Sequence, residues 1–92
     1  MIAIGLTGFI SGEIETATDK RGTPYVKFKA VCKSNINDDE EIFRIMTYDP
    51  KAKELKPNDT IALYGAMSVK RISAGGETWI NLDVWAKTLE KL

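Results

Sequence analysis

Apolar residues recur at every second position through most of this chain, which is the period of a β-strand rather than of a helix. Residues 25–33 show the pattern best. The side chains on one side of this predicted strand are Val26, Phe28, Ala30 and Cys32. Those on the other side are Tyr25, Lys27, Lys29 and Lys33. One side can therefore pack into a core while the opposite side presents an aromatic ring among ammonium groups.

Four further segments alternate in the same way: residues 2–10, 42–48, 60–72 and 78–86. In residues 42–48 we expect Phe43 to point inward and Arg44 outward, because an arginine is rarely buried in a dry core. That choice places Tyr48 on the outer side with Arg44. In residues 60–72 the predicted inner side carries Ile61, Leu63, Gly65, Met67 and Val69. In residues 78–86 the predicted inner side carries Ile80, Leu82, Val84 and Ala86, and the outer side carries Trp79, Asn81, Asp83 and Trp85.

Turn-forming residues separate these segments. Lys20, Arg21 and Gly22 predict a turn before the second strand, and the polar residues 34–41 predict a loop after it. A Gly-Gly pair in residues 73–77 predicts a hairpin turn before the last strand. After that strand, residues 88–92 are predicted to form a short tail.

A short helix is predicted between the third and fourth strands. Asp49 can cap its first turn, Pro50 suits the first helical position, and Ala52 and Leu55 can share a buried side. The order of three strands, a short helix and two strands is that of the OB-fold, a five-stranded partly open barrel. We therefore expect an all-β protein in which residues 1–92 form a single OB-fold domain.

The composition limits the class of protein. The 92 residues suffice for one domain, and no apolar run approaches the roughly 20 residues of a membrane span. A single cysteine excludes an internal disulfide, and the first residues do not resemble a signal peptide, so we expect a cytoplasmic protein without membrane contact. Histidine is absent, which removes the commonest general base and the commonest catalytic metal ligand. We expect no enzyme, no small-molecule substrate, no metal and no cofactor.

The formal net charge is zero, so total charge does not indicate a nucleic-acid partner. The charges are nevertheless clustered. A basic block without an acidic residue contains Lys20, Arg21, Lys27, Lys29 and Lys33. An acidic block, residues 38–41, follows it and is interpreted as part of a solvated loop. A protein that binds single-stranded nucleic acid needs aromatic rings on which bases stack, next to positively charged side chains that contact the phosphates.

Motifs along nearly the whole chain resemble those of bacterial and phage-type single-stranded DNA-binding proteins. They are LTGFI at 6–10, GTPYVKF at 22–28, FRIMTY at 43–48, LKPNDTIALYG at 55–65 and WINLDVWA at 79–86. The resemblance implies non-sequence-specific binding of single-stranded DNA in replication, recombination or repair, by a homodimer or homotetramer. It also places the family's stacking aromatic of the third strand at Tyr48.

The chain departs from the family in three respects. Ile42 and Ile72 occupy positions where the family has tryptophan. The predicted helix is also shorter than the family's, and the family's flexible acidic tail is absent from the sequence. The missing tail is also a feature of the related primosomal-type accessory proteins, which share the fold. An accessory protein of that type is therefore one alternative.

We predict a nucleic-acid-binding face from these observations. Bases are expected to stack on Tyr48 and Trp79, with Tyr25 and Trp85 as second-rank candidates. The expected phosphate contacts are Lys20, Arg21, Lys27, Lys29, Lys33, Arg44, Lys70 and Arg71. The alternatives are an adaptor whose aromatic faces dock a protein partner and an RNA-binding barrel of the cold-shock type.

Overall fold

The strands pair as a closed barrel. The structure is a computed structural model that describes residues 2–33 and 39–92. Its elements are β1 Ile2–Thr18, β2 Pro24–Lys33, β3 Glu40–Thr47, a 3₁₀ helix Pro50–Glu54, β4 Thr60–Ala74 and β5 Glu77–Lys91. Around the barrel the order is β1, β2, β3, β5 and β4, and β4 pairs again with β1. The β3–β5 pair is parallel and the other pairs are antiparallel. The predicted OB-fold is confirmed, with the short helix reduced to a 3₁₀ turn.

Alternate side chains of the five strands fill the barrel. The fully enclosed ones include Ile10, Ile45, Ile61, Val84 and Leu89. The predicted inner sides of β2 and β3 are confirmed, since Val26 and Phe28 are buried and Phe43 packs against the core. Cys32 is half-buried, and burial raises the pKa of its thiol. Ala52 of the 3₁₀ helix and the following Leu55 join the same cluster.

The turns follow the local sequence. Gly22 has φ 84°, and Gly75 and Gly76 have φ 60° and 81°, so each occupies the left-handed region that a glycine adopts without strain. The last two form the two-residue turn between β4 and β5 that the Gly-Gly pair predicts. Asp49 caps the 3₁₀ helix, as predicted, because its side chain accepts the Lys51 N–H.

Strand β5 is longer than its alternation predicts, and the reason is a β-bulge. Gly65 pairs with Ala86 while Tyr64 pairs with Thr88, which leaves Lys87 as an extra residue. The bulge changes the phase of the alternation, so Leu89 points inward and is 2% exposed. The prediction of a tail at residues 88–92 was therefore wrong.

The end of the β4–β5 hairpin projects beyond the barrel. In the described residues, β3 pairs with β5 from Asp83 onward and β1 pairs with β4 from Met67 back towards Thr60. The ribbon beyond these pairs has no barrel interior to face. Ile80, predicted to be inward, is 61% exposed, and Val69 is also exposed. Both predictions were wrong because alternation identifies the side of a strand but not what lies against it.

Two other boundaries differ from the prediction. Strand β1 continues to Thr18, past a register shift between Ser11 and Glu15. Glu40 and Glu41, predicted to lie in the loop, begin β3 and pair with Lys33 and Cys32. Residues 34–38 of the predicted loop lie outside the described residues. Within residues 2–33 and 39–92, no helix has the length and apolar character that crossing a membrane requires.

Candidate nucleic-acid interface

Three aromatic rings meet on the outer side of β2, β3 and β5. The Tyr48 and Trp85 rings are stacked, with centroids 5.2 Å apart and planes at 18°. Tyr25 approaches both, at 6.0 Å from Tyr48 with an edge-on geometry and at 5.3 Å from Trp85. Tyr48 is 50% exposed and Trp85 is 38% exposed, so a broad aromatic surface remains open to solvent. We call these three residues the aromatic platform.

Strand register builds the aromatic platform. Val26 of β2 pairs with Thr47 of β3, which brings the adjacent Tyr25 and Tyr48 side by side. Trp85 of β5 is the parallel partner of Met46, two residues before Tyr48. Two residues along a strand span about 7 Å, a distance that an indole ring covers. The aromatic platform therefore depends on three strands that are far apart in the sequence.

A carboxylate holds the far edge of Tyr48. The Tyr48 hydroxyl donates a hydrogen bond of 2.9 Å to Asp19 Oδ2, in the turn between β1 and β2. This bond raises the pKa of the Tyr48 phenol above its ordinary value. Hydrogen bonds to the Asp19 carboxyl lower its pKa. The Thr23 N–H has the largest effect, and the Tyr48 hydroxyl and the Arg21 N–H have smaller ones. Asp19 is therefore an ionised acceptor at neutral pH.

Basic side chains continue the outer face next to the aromatic platform. Lys27 pairs with Met46 across β2 and β3, and Lys29 pairs with Arg44. All three cations line a surface groove that β1 borders with Glu13 and Glu15. The Lys27 ammonium lies 3.5 Å from Glu15 Oε2, so its charge is partly balanced. The groove can contact phosphates, but it is not uniformly positive.

Asp83 lies within this basic face. It points outward as predicted, yet it is 7% exposed because it lies among longer side chains. Its Oδ1 is 3.3 Å from Nε of Arg44, and its Oδ2 is 3.8 Å from Nζ of Lys70. Within the described residues Oδ1 accepts no hydrogen bond. Asp83 therefore partly neutralises two of the cations that the sequence assigns to phosphates.

The other predicted site residues that the structure describes lie outside the groove, although Lys20 and Arg21 flank Asp19 at the Tyr48 edge of the aromatic platform. Trp79 pairs with Ile72 on the hairpin, six residues and about 20 Å along β5 from Trp85, so it is not part of the aromatic platform. Arg71 lies on the opposite side of that hairpin from Lys70, because neighbouring residues of a strand alternate. Lys20 and Arg21 are exposed in the β1–β2 turn. The side chain of Lys33 lies outside the described part. These assignments remain predictions.

Asp19 and Asp83 are the two site residues that the sequence did not identify. The local pattern of an aspartate three residues before Gly22 is typical of a turn in which the carboxylate accepts backbone N–H groups. That signal could have identified the turn but not the bond to Tyr48, which is 29 residues away. No local signal marks Asp83, since its partners come from β3 and β4.

Comparison with solved structures places this geometry in a known fold. The chain is similar to the small single-stranded DNA-binding protein of Streptomyces coelicolor, with a TM-score of 0.80 and 16% identity over 98% of this chain and 93% of that chain. It is also similar to the mitochondrial single-stranded DNA-binding protein Rim1 of S. cerevisiae in two crystal forms, at 11% identity and 13% identity and a TM-score of 0.74 in each. These matches cover 99% of this chain and 93% and 95% of the Rim1 chains.

The sequence itself matches no known family model and no curated protein. The similarity is therefore one of structure, and it extends over almost the full length of both chains. The protein has the OB-fold seen in these single-stranded DNA-binding proteins.

Proposed function

We propose that this protein binds single-stranded DNA without sequence preference. The aromatic platform carries the proposal, because three partly exposed rings lie beside Lys27, Lys29 and Arg44 on one outer face. Every base has a π-face, so stacking on such rings is tolerant of sequence. The similarity to the Streptomyces and yeast single-stranded DNA-binding proteins supports the same partner. The processes we propose are replication, recombination or repair.

Titration with oligo-dT tests the proposal through tryptophan fluorescence, to which Trp79 and Trp85 both contribute. We expect quenching at low salt, and weaker binding as salt rises, because bound phosphates displace counterions. Tyr48→Ala should weaken binding about 5- to 150-fold, the range of a lost base–aromatic stack. Phe9→Ala is the matched control, since Phe9 is also an exposed outer ring but pairs with Val31, six residues and about 20 Å along β2 from Tyr25.

The outcomes separate the candidate functions. No quenching at low salt would contradict nucleic-acid binding. Equal losses in Tyr48→Ala and Phe9→Ala would remove the aromatic platform from the binding site. Tighter binding of poly-U than of poly-dT would make RNA the preferred partner.

The projecting hairpin favours a second candidate, a protein-binding adaptor or primosomal-type accessory protein. Val69 and Ile80 are exposed on one side of the ribbon and Trp79 on the other. Two-stranded ribbons are only marginally stable in water, so a protein partner that covers these side chains would stabilise them. Absence of oligo-dT binding, together with a shift of the remaining Trp79 fluorescence in Trp85→Phe on adding a protein partner, would favour this role.

We also propose that the chain assembles as a homodimer or homotetramer. Exposed Tyr64 is flanked on β4 by Ala62 and Ala66 and faces Gly5 across the β1–β4 pair, which gives a flat surface on which a second copy can pack. Sedimentation equilibrium with and without oligo-dT tests the proposal. A monomer at all concentrations would contradict it.

A further inference from the structure

The β1–β2 turn is built around Asp19. Its backbone N–H donates to the Thr23 carbonyl at 2.9 Å, and its carbonyl accepts the Gly22 N–H at 3.0 Å. Its Oδ1 accepts the N–H groups of Arg21 at 2.8 Å and Thr23 at 2.9 Å. Four hydrogen bonds thus fix the carboxylate relative to the barrel. Oδ2 is left to accept a donor from outside the turn.

That donor is the hydroxyl of Tyr48. Tyr48 follows the last residue of β3, so the strand ladder does not hold its backbone. Its ring is half exposed, and it contacts Trp85 on one face and Tyr25 at an edge. The bond to Asp19 fixes the remaining end of the side chain. A hydrogen bond to an ionised carboxylate is stronger than one between neutral groups.

We propose that Asp19 is a positioning residue that holds the Tyr48 ring parallel to Trp85 before a base arrives. The inference rests on the proposed function. A ring that is already ordered spares the complex the entropy cost of immobilising a side chain. Asp19 acts through the Tyr48 hydroxyl and does not itself contact the DNA.

The direction of the mutational effect distinguishes this role from simple repulsion. A carboxylate near a bound strand repels phosphates, so removing it would strengthen binding if charge were its main effect. Removing a positioning residue weakens binding instead. Asp19→Ala therefore gives opposite results under the two mechanisms.

A double-mutant cycle tests the inference by oligo-dT titration. Asp19→Ala should weaken binding about 2- to 12-fold, the cost of ordering one side chain. Tyr48→Phe should weaken it equally, because it keeps the ring but removes the hydroxyl and leaves the turn intact. The double variant should be no weaker than either single variant, since both changes remove the same bond. Asp19→Asn should bind within about twofold of the wild type, because a carboxamide can still bond the turn and the phenol oxygen.

Two spectroscopic signals report the ring position without DNA. The near-ultraviolet circular dichroism of the Tyr48–Trp85 pair should change in Asp19→Ala, which keeps both chromophores. In Asp19→Ala the raised pKa of the Tyr48 phenol should return towards its ordinary value of 10.0, measured by absorbance at alkaline pH after subtracting the titration of the double variant, because the chain has three tyrosines. A change confined to folding stability would leave both signals as in the wild type.

The results that overturn the inference are specific. They are unchanged or tighter binding by Asp19→Ala, losses in the two single variants that multiply in the double variant, or a loss in Asp19→Asn as large as in Asp19→Ala. A wild-type protein that does not bind oligo-dT would overturn the proposed function and this inference together. A wild type that binds while Asp19→Ala binds equally well would overturn this inference alone.

Discussion

Asp83→Asn should strengthen the binding of single-stranded DNA. Asp83 is an acidic side chain in a basic face, 3.3 Å from the Arg44 guanidinium and 3.8 Å from the Lys70 ammonium. Asparagine has nearly the same shape, so the substitution removes one negative charge with little change in packing. Arg44 and Lys70 are themselves more than half exposed and remain solvated after the change.

The expected gain follows from Coulomb's law. A phosphate that contacts the outer side of Arg44 lies roughly 7 Å from the Asp83 carboxylate, which corresponds to about 2 kcal/mol of repulsion at the effective dielectric constant of a protein surface. Physiological salt, with a screening length of about 8 Å, reduces the repulsion to about 1 kcal/mol. We therefore expect about fivefold tighter binding in Asp83→Asn.

The assay is an oligo-dT titration by tryptophan quenching at several salt concentrations, with Asp59→Asn as the matched control. Asp59 also forms an ion pair, 3.6 Å from Lys91, and its substitution changes the net charge by the same one unit. Lys91 lies six residues and about 20 Å beyond Trp85 along β5. Asp59→Asn should therefore bind as the wild type does. Equal gains in both variants, or no gain in Asp83→Asn, would refute the argument from local charge.

Three further predictions concern the fold. Gly65→Ala should destabilise the protein by about 1–3 kcal/mol in urea unfolding, since a methyl group there would overlap the Trp85 carbonyl oxygen, whereas Gly5→Ala should be tolerated because its nearest neighbour is 3.8 Å away. Leu89→Ala should lower the free energy of unfolding by about 2–5 kcal/mol, while Leu92→Ala, at a residue that is 67% exposed, should change it by less than about 0.5 kcal/mol. Equal effects of the two variants would contradict the inward position of the Leu89 side chain. Because the pKa of Asp19 is lowered in the folded state, its ionised carboxylate stabilises the protein above its ordinary pKa of 3.8, and this contribution is lost as the pH falls through the lower folded pKa. Acid unfolding of Asp19→Asn should therefore depend less on pH in that range, and a profile identical to that of the wild type would contradict the pKa shift.

Much of the fold could be predicted from the sequence because its signals are local. Alternation locates strands and their inner sides, as in β2, where Val26 and Phe28 are buried. The Gly-Gly pair and the Asp49–Pro50 pair act through φ preferences and capping within a few residues. Such signals fix the element order, and the order identified the barrel.

The errors arose where the outcome depends on another part of the chain. The bulge at Lys87 reverses which residues of β5 point inward, and no local feature of that strand predicts the bulge. Ile80 keeps its alternation but lies beyond the barrel, because β3 pairs with β5 only from Asp83 onward within residues 2–33 and 39–92. Burial is a property of the assembled sheet rather than of one strand.

The site shows the same limit. Alternation placed Tyr48, Tyr25 and Trp85 on outer sides, but nothing local shows that Trp85 rather than Trp79 lies beside Tyr48, because that depends on the pairing of Trp85 with Met46. The parallel β3–β5 pair decides which tryptophan joins Tyr48. The bond between Asp19 and Tyr48 likewise requires the turn and the end of β3 to meet.

In the proposed binding mode, the ion pairs beside the aromatic platform shift the binding energy from charge towards stacking. Lys27 forms an ion pair with Glu15, and Arg44 and Lys70 form ion pairs with Asp83. A phosphate that contacts one of these cations must therefore compete with a carboxylate that is already paired with it. Fewer counterions are then released for each strand bound, and affinity depends less on salt than eight unpaired cations would require. The rings carry no such penalty, because the Tyr48–Trp85 stack is formed without DNA. Under the proposed function, a chain of zero net charge would therefore bind unpaired bases through a preformed aromatic surface, and its paired cations would guide the backbone rather than supply most of the affinity.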